Sequence, residues 1–206
     1  MFCQFQDLFV GALDTSSNAL EWALAELLQN PRTMNTLQDE LRTVLGSKAQ
    51  VEDSDIDKLP YLRAVIKETP RLHSVVPLVS YRAEATVQVQ GYTIPEGSNV
   101  LVNVWAIHHN ADVWTEPHKF VPERFLKKDV EFFGRNFEFI PFGSGRHMCL
   151  GLPLANRMLH VMLGSLLHQF EWELPELERG VDMTEKYGLV LSMASPIHAI
   201  AKKKQQ

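Results

Sequence analysis

The sequence predicts a mainly α-helical fold with small antiparallel β-sheets, of the α+β class. Apolar residues recur at three- and four-residue steps in several long segments, which is typical of helices with one buried face. Period-two alternation is confined to short stretches bounded by glycine and proline. Apolar residues make up 45% of the 206 residues, so the chain can bury a large core.

Four helices are predicted, over residues 5–30, 32–45, 60–73 and 150–170. The first carries a continuous apolar stripe and ends before Pro31, because the residue preceding a proline is pushed out of helical geometry. Gly46 ends the second helix. Pro70 lies inside the third, where a proline removes one hydrogen bond and is expected to bend the helix.

Short strands are predicted between and after the helices. Residues 86–90, 92–94 and 100–105 are expected to form a small antiparallel meander, and residues 187–201 two short strands. Residues 106–148 show no clear period, and an irregular stretch of this length inside a compact domain usually has a function. Within it, His108 and His109 lack ligand-like partners and are predicted to be surface or packing residues.

Composition excludes several classes of protein. The net charge of −5 and the absence of a basic stripe argue against nucleic acid as a partner. Two cysteines, Cys3 and Cys149, are too few for a disulfide scaffold and favour a reducing compartment. No apolar stretch reaches the roughly 18 residues that a membrane span requires.

The segment from Phe142 to Gly151 carries the most distinctive chemistry. Its glycines allow a tight loop, and Cys149 lies where this loop enters the last helix, so the helix dipole would favour a thiolate there. Such a thiolate could be a nucleophile or a metal ligand, and Arg146 and His147 add positive charge for an anionic group. The alternative is a structural glycine turn around a small buried cysteine.

This segment resembles the haem-binding signature of the cytochrome P450 family, F-x-x-G-x-R-x-C-x-G. Phe142, Gly145, Cys149 and Gly151 occupy its fixed positions, and His147 stands at the arginine position. The resemblance implies that haem b binds here with the Cys149 thiolate as the axial iron ligand. It also implies that His147, the neighbouring Arg146, and Arg82 in a Tyr-Arg-Ala segment contact the haem propionates.

Two further segments resemble motifs of the same family in the same order. Glu68 and Arg71 match the E-x-x-R motif, and Arg124 lies in a P-E-R-F segment. The resemblance implies a buried Glu–Arg–Arg cluster that holds the cysteine loop and has a structural role. Taken by itself, an i,i+3 pair is more often a solvated surface pair.

The first helix contains Gly11-Ala12-Leu13-Asp14-Thr15-Ser16, which is similar to the family motif of the oxygen-binding helix. An adjacent carboxylate and hydroxyl in mid-helix are poor choices by propensity, so they suggest a purpose, although an exposed polar patch is the alternative. The resemblance implies catalytic roles, with Thr15 positioning water and oxygen and Asp14 relaying protons. Ala12 replaces a family glycine, and its methyl group is expected to narrow the oxygen-binding groove.

The resemblance covers residues 5–200 and implies the carboxyl-terminal part of the cytochrome P450 fold, with residues 1–206 forming one partial domain. Its texture is closest to plant hydroxylases of terpenoids and alkaloids. The implied function is a monooxygenase that inserts one oxygen atom of O2 into a small apolar substrate, with electrons from an NADPH-dependent cytochrome P450 reductase. The implied location is the cytosolic face of the endoplasmic reticulum membrane, through an amino-terminal anchor expected to precede Met1.

Two alternatives remain at this stage. The chain could be a truncated, non-catalytic remnant that lacks stable haem binding. It could also belong to a haem-thiolate rearrangement enzyme that needs no reductase, although the Asp14 and Thr15 pair argues against that.

Overall fold

The computed structural model describes residues 2–128, 130–175 and 180–204. Within these ranges the helices are α1 (Phe2–Gln29), α2 (Pro31–Leu45), α3 (Pro60–Leu72), α4 (Val104–His108), α5 (Arg124–Lys127) and α6 (Leu152–Gln169). Short 3-10 helices occupy Asp53–Lys58 and Gly145–His147. The strands are β1 (Leu78–Arg82), β2 (Val87–Val89), β3 (Tyr92–Ile94), β4 (Asn99–Asn103), β5 (Phe170–Glu173), β6 (Glu185–Lys186), β7 (Ser192–Met193) and β8 (Ile200–Lys203). The predicted mainly helical fold with small antiparallel sheets is confirmed.

Helices α1, α2, α3 and α6 enclose the main core. In α2 the buried side chains recur every three or four residues, as Met34, Leu37, Leu41 and Leu45. Helix α6 crosses this core closely at Gly164, where an added Cβ would lie 2.7 Å from Cγ2 of Val51 and 3.1 Å from Cδ2 of Leu62. Because Gly164 has no side chain, α6 can lie this close to Val51 and Leu62.

Pro70 does not break helix α3, which continues two residues further, to Leu72. The proline lies in the last turn, so the hydrogen bond it removes is close to the helix end. The amide of His73 still donates to the carbonyl of Thr69 at 2.8 Å, which closes the helix. Glu68 and Arg71, two of the buried charged residues of α3, therefore share one face as their spacing requires.

The strands pair differently from the predicted meander. Strand β1 pairs antiparallel with β4, while β2 and β3 form a separate hairpin between them. The predicted strand over 100–105 was wrong at its end, because β4 stops at Asn103 and α4 follows. The Asn103 side chain accepts a hydrogen bond from the amide of Ala106 at 2.9 Å and so caps that helix.

The carboxyl-terminal strands also belong to separate sheets. Strands β7 and β8 flank Ser195 and Pro196 as predicted, but β7 pairs with β6 and β8 pairs with β5. The sequence analysis predicts neither β5 nor β6, because β5 alternates over only four residues directly after α6 and β6 has only two residues. In the described ranges, no helix combines the length and apolarity needed to cross a membrane.

Candidate active site

A cavity of about 250 Å³ lies between α1, the end of α3, strand β1 and the loop that carries Cys149. Helix α1 contributes Gly11 and Thr15 to its wall, and the loop contributes Phe142, His147 and Cys149. Most of the remaining wall is apolar, from Ala19, Leu20, Ala23, Ile66, Val75, Val76, Val79, Phe132, Leu159 and Leu163. The fold thus brings the two motifs, 134 residues apart in sequence, to the walls of one apolar cavity.

The Cys149 loop is closed by its own backbone. The amide of Cys149 donates to the carbonyl of Phe142 at 2.9 Å, and the intervening turns pass through Gly143 and Gly145 at φ of +75° and +74°. Side chains rarely adopt such positive φ values, so these glycines permit the tight turn. The thiol of Cys149 is unpaired and exposed beside the cavity, which corrects the alternative of a buried cysteine.

The segment before the loop supports it through Gly134 and Phe132. The hydroxyl of Ser144 donates to the carbonyl of Gly134 at 2.7 Å. Gly134 has φ of +65°, and an added Cβ would lie 3.0 Å from the carbonyl oxygen of Gly143. The ring of Phe142 meets that of Phe132 edge-on, with centroids 5.3 Å apart. Sequence reasoning missed Gly134, because nothing in the local pattern shows which backbone it approaches.

On the opposite wall, the Thr15 hydroxyl donates to the carbonyl of Gly11 at 2.7 Å, one turn earlier in α1. Asp14 is exposed on the same helix and does not line the cavity. Ala12 is also exposed and does not line this cavity, so the expected narrowing of the oxygen-binding groove by its methyl group stays a prediction. The residue that faces the cavity is Gly11, and an added Cβ there would meet nothing within 4 Å.

A second, polar cavity of about 700 Å³ adjoins the first at His147 and Tyr81, which line both. Arg82 lines it from the end of β1, and its guanidinium lies 3.6 Å from where a Cβ of Gly97 would be. Arg146 is exposed and lines neither cavity. Of the three residues expected to contact propionates, the structure therefore brings Arg82 and His147 together at one cavity.

Glu68, Arg71 and Arg124 form one ion-pair cluster behind the loop. Arg71 donates to Glu68 from Nε at 2.6 Å and from Nη2 at 2.9 Å, and Nε of Arg124 donates to the same carboxylate at 3.1 Å. The other N–H groups of Arg71 donate to the main-chain carbonyls of His108, Pro117 and Lys119. Every donor of the guanidinium is therefore used, which fixes the irregular segment 108–119 against α3.

Trp114 covers this cluster with its ring. The guanidinium carbons of Arg71 and Arg124 lie 5.5 Å and 5.9 Å from its centroid, and Nζ of Lys128 lies 4.5 Å away. One carboxylate faces two arginines here, so the negative face of the indole and the carbonyl dipoles offset the excess positive charge.

The residues of the two cavities suit haem b by the chemistry of their donors. Cys149 offers one accessible thiol to iron, the apolar walls suit the faces of a porphyrin, and Arg82 and His147 suit its carboxylates.

Comparisons with known proteins agree with this arrangement. The family model "Cytochrome P450" matches residues 2–200. A geraniol 8-hydroxylase of Swertia mussotii is 51% identical over 198 residues, covering 95% of this chain and 40% of the relative. Cytochrome P450 76T24 of Catharanthus roseus is 49% identical over 197 residues, covering 94% and 40%. A zebrafish cytochrome P450 solved with progesterone superposes with a TM-score of 0.86 at 32% identity, covering 96% of this chain and 44% of that one.

The chain therefore has a partial cytochrome P450 fold, and it belongs to the cytochrome P450 family. The two sequence relatives named above come from plants. The chain spans about two fifths of the length of these curated relatives.

Proposed function

We propose that this chain supplies the haem-thiolate centre of a monooxygenase that inserts one oxygen atom of O2 into a small apolar substrate. The observation that carries the proposal is the cavity whose walls bear the Cys149 thiol and the Thr15 hydroxyl. When bound, haem b would supply the oxygen chemistry, with electron density donated by its thiolate ligand.

The residues of the chain would bind the haem, position water or O2, and exchange protons. Cys149 would hold the iron, and the hydrogen bond from its amide to the Phe142 carbonyl would fix the position of the thiolate. The Thr15 hydroxyl would hold a water molecule or O2 in the cavity. The carboxylate of the preceding residue, Asp14, is exposed and would exchange protons with solvent. Arg82 and His147 would pair with the haem carboxylates, whereas Arg146 lines neither cavity.

For the substrate, we propose a terpenoid alcohol or a compound of similar size and polarity. The cavity wall near the end of α3 is formed by Val75, Val76 and Val79, which offer apolar contact and no charge. Two of the relatives, from Swertia mussotii and Catharanthus roseus, are named geraniol 8-hydroxylase and are 51% and 49% identical to this chain.

For the partners, we propose that electrons come from an NADPH-dependent cytochrome P450 reductase. The proposed location is the cytosolic face of the endoplasmic reticulum membrane. Family membership supports both proposals, since the named plant relatives are cytochromes P450 as well.

The test is haem loading of the chain followed by reduction and carbon monoxide binding. We expect a strongly red-shifted Soret band that Cys149→Ala abolishes, because only a thiolate ligand supplies the required electron density. Cys3→Ala is the matched control, since Cys3 is the only other cysteine, and it should leave the band unchanged.

The alternative is a chain that does not bind haem stably. It is a distinct candidate because the chain spans only about 40% of the length of its relatives. No haem uptake by the wild-type chain would favour this alternative and contradict the catalytic proposal. Uptake with a band insensitive to Cys149→Ala would contradict the ligand assignment alone.

A further inference from the structure

His108 is fully buried at the meeting point of three segments: the end of α3, helix α4 and the chain leading to the cysteine loop. Its Nδ1 lies 3.0 Å from Oγ of Ser74, just beyond α3. Its Nε2 lies 3.0 Å from the amide nitrogen of Ile140, two residues before Phe142. A single side chain thus bridges helix α3 and the base of the loop.

The contacts fix the protonation state of this imidazole. The Ile140 amide can only donate, so Nε2 must be unprotonated and accept. A neutral ring then carries its proton on Nδ1 and donates to Ser74, whose hydroxyl donates onward to the carbonyl of Pro70 at 3.3 Å. Burial lowers the pKa of His108 to about 3, helped by the nearby Arg71 guanidinium and opposed by the Pro70 carbonyl.

The backbone of His108 is held by the ion-pair cluster as well. Its carbonyl accepts a hydrogen bond from Nη1 of Arg71 at 2.9 Å. The ring also packs against Phe139, with centroids 5.6 Å apart. His108 therefore links Arg71 to Ile140. Two residues after Ile140, the carbonyl of Phe142 accepts the hydrogen bond from the amide of Cys149.

We infer that His108 is a positioning residue for the thiolate loop, acting as a neutral, Nδ1-protonated bridge that holds Ile140 against the end of helix α3. Its relevance to haem binding rests on the proposed function. The neighbouring His109 does not share the role, because its Nδ1 contacts the carbonyl of Trp105, at the start of its own helix, and its ring stacks on Trp105.

The first test is nitrogen-15 NMR of the histidine-labelled chain without haem, with the His108 signals assigned by their loss in His108→Gln. We expect a protonated Nδ1 and an unprotonated Nε2 that do not change between about pH 8 and about pH 5. A protonated Nε2, or titration near the ordinary value of about 6.5, would overturn the inference.

The second test is amide hydrogen exchange at Ile140 and Cys149, also without haem. His108→Leu leaves the Ile140 amide without an acceptor, so we expect both amides to exchange about tenfold faster or more. His108→Gln can both accept and donate, and should restore most of the protection. His109→Leu is the matched control and should leave both rates unchanged.

Equal rates in His108→Leu and the wild type would overturn the inference, as would Gln behaving like Leu. If His108→Leu does not fold, Ser74→Ala takes its place, because it removes the acceptor of the Nδ1 proton and should still speed exchange at Ile140. Loss of haem from the loaded chain, measured by transfer to an acceptor globin, should accelerate in the same order of variants. A chain that binds no haem would contradict the proposed function while the exchange and NMR results still decide this inference.

Discussion

Arg71 donates two hydrogen bonds to Glu68, at 2.6 Å and 2.9 Å, and neither side chain is exposed to solvent. Asp39 and Arg42 have the same i,i+3 spacing and a bond of 2.7 Å, but their side chains are 65% and 77% exposed. Both pairs place an acidic residue three positions before an arginine, and they differ in their exposure to solvent. Their energetic roles should therefore differ sharply.

Arg71→Lys should lower the free energy of unfolding by about 3–5 kcal/mol, because lysine has three donors and cannot replace the paired guanidinium in a buried cluster. Arg42→Lys is the matched control and should change it by less than about 1 kcal/mol. Urea unfolding of both variants measures the difference. Similar effects in the two variants would show that the buried cluster does not stabilise the fold.

The helical frame was predictable because each helix carries its own signals. The apolar period of α2, the Pro31 junction and Gly46 lie in consecutive residues, and the structure ends the helices within a few residues of those signals. The site motifs were recognisable because their residues also lie close together in sequence. What the sequence could not show is which residues of α1 line the cavity, where Gly11 is present and Ala12 is not.

Long-range pairing was the other gap. Strand β4 pairs with β1, 21 residues earlier, across the β2–β3 hairpin, and nothing in the local alternation distinguishes that partner from β3. His108 shows the same limit for side chains. Its bridge joins Ser74 and Ile140, which lie 34 and 32 residues away, so the sequence alone predicts only a surface or packing histidine.

His108 should make the chain less stable as the pH falls. Its pKa is lowered to about 3 in the folded state, chiefly by burial, whereas the unfolded value is about 6.5. Between these values the unfolded chain binds one more proton at this site, so its contribution is complete above about pH 6.5 and is lost toward about pH 3.

The measurement is the free energy of unfolding against pH for the wild type and His108→Gln. Their difference should show a slope of up to about 1.4 kcal/mol per pH unit within that window, and it isolates His108 from the other buried histidines. Parallel curves for the two proteins would mean that His108 is not held neutral.

Gly134→Ala should weaken the cysteine loop. The new Cβ would lie 3.0 Å from the carbonyl oxygen of Gly143 and 3.0 Å from Cα of Ser144, and the backbone there has φ of +65°. Gly91→Ala is the control, because Gly91 has φ of +85° in the β2–β3 hairpin with nothing within 4 Å of the added Cβ. Faster exchange of the Cys149 amide is expected in Gly134→Ala alone. Equal exchange rates of this amide in the two variants would mean that the close contacts at position 134 do not support the cysteine loop.

Gly164→Ala and Gly11→Ala should change stability in opposite directions, although both place alanine in a helix. Alanine is favoured over glycine by about 1 kcal/mol in a helix interior, and at Gly11 the added Cβ meets nothing within 4 Å. At Gly164 it would lie 2.7 Å from Val51 and 3.1 Å from Leu62, so overpacking of about 1–3 kcal/mol should exceed the helix gain. Thermal unfolding should show a raised midpoint for Gly11→Ala and a lowered one for Gly164→Ala. A raised midpoint in both would show that α6 can move away from the Val51 and Leu62 side chains at little cost.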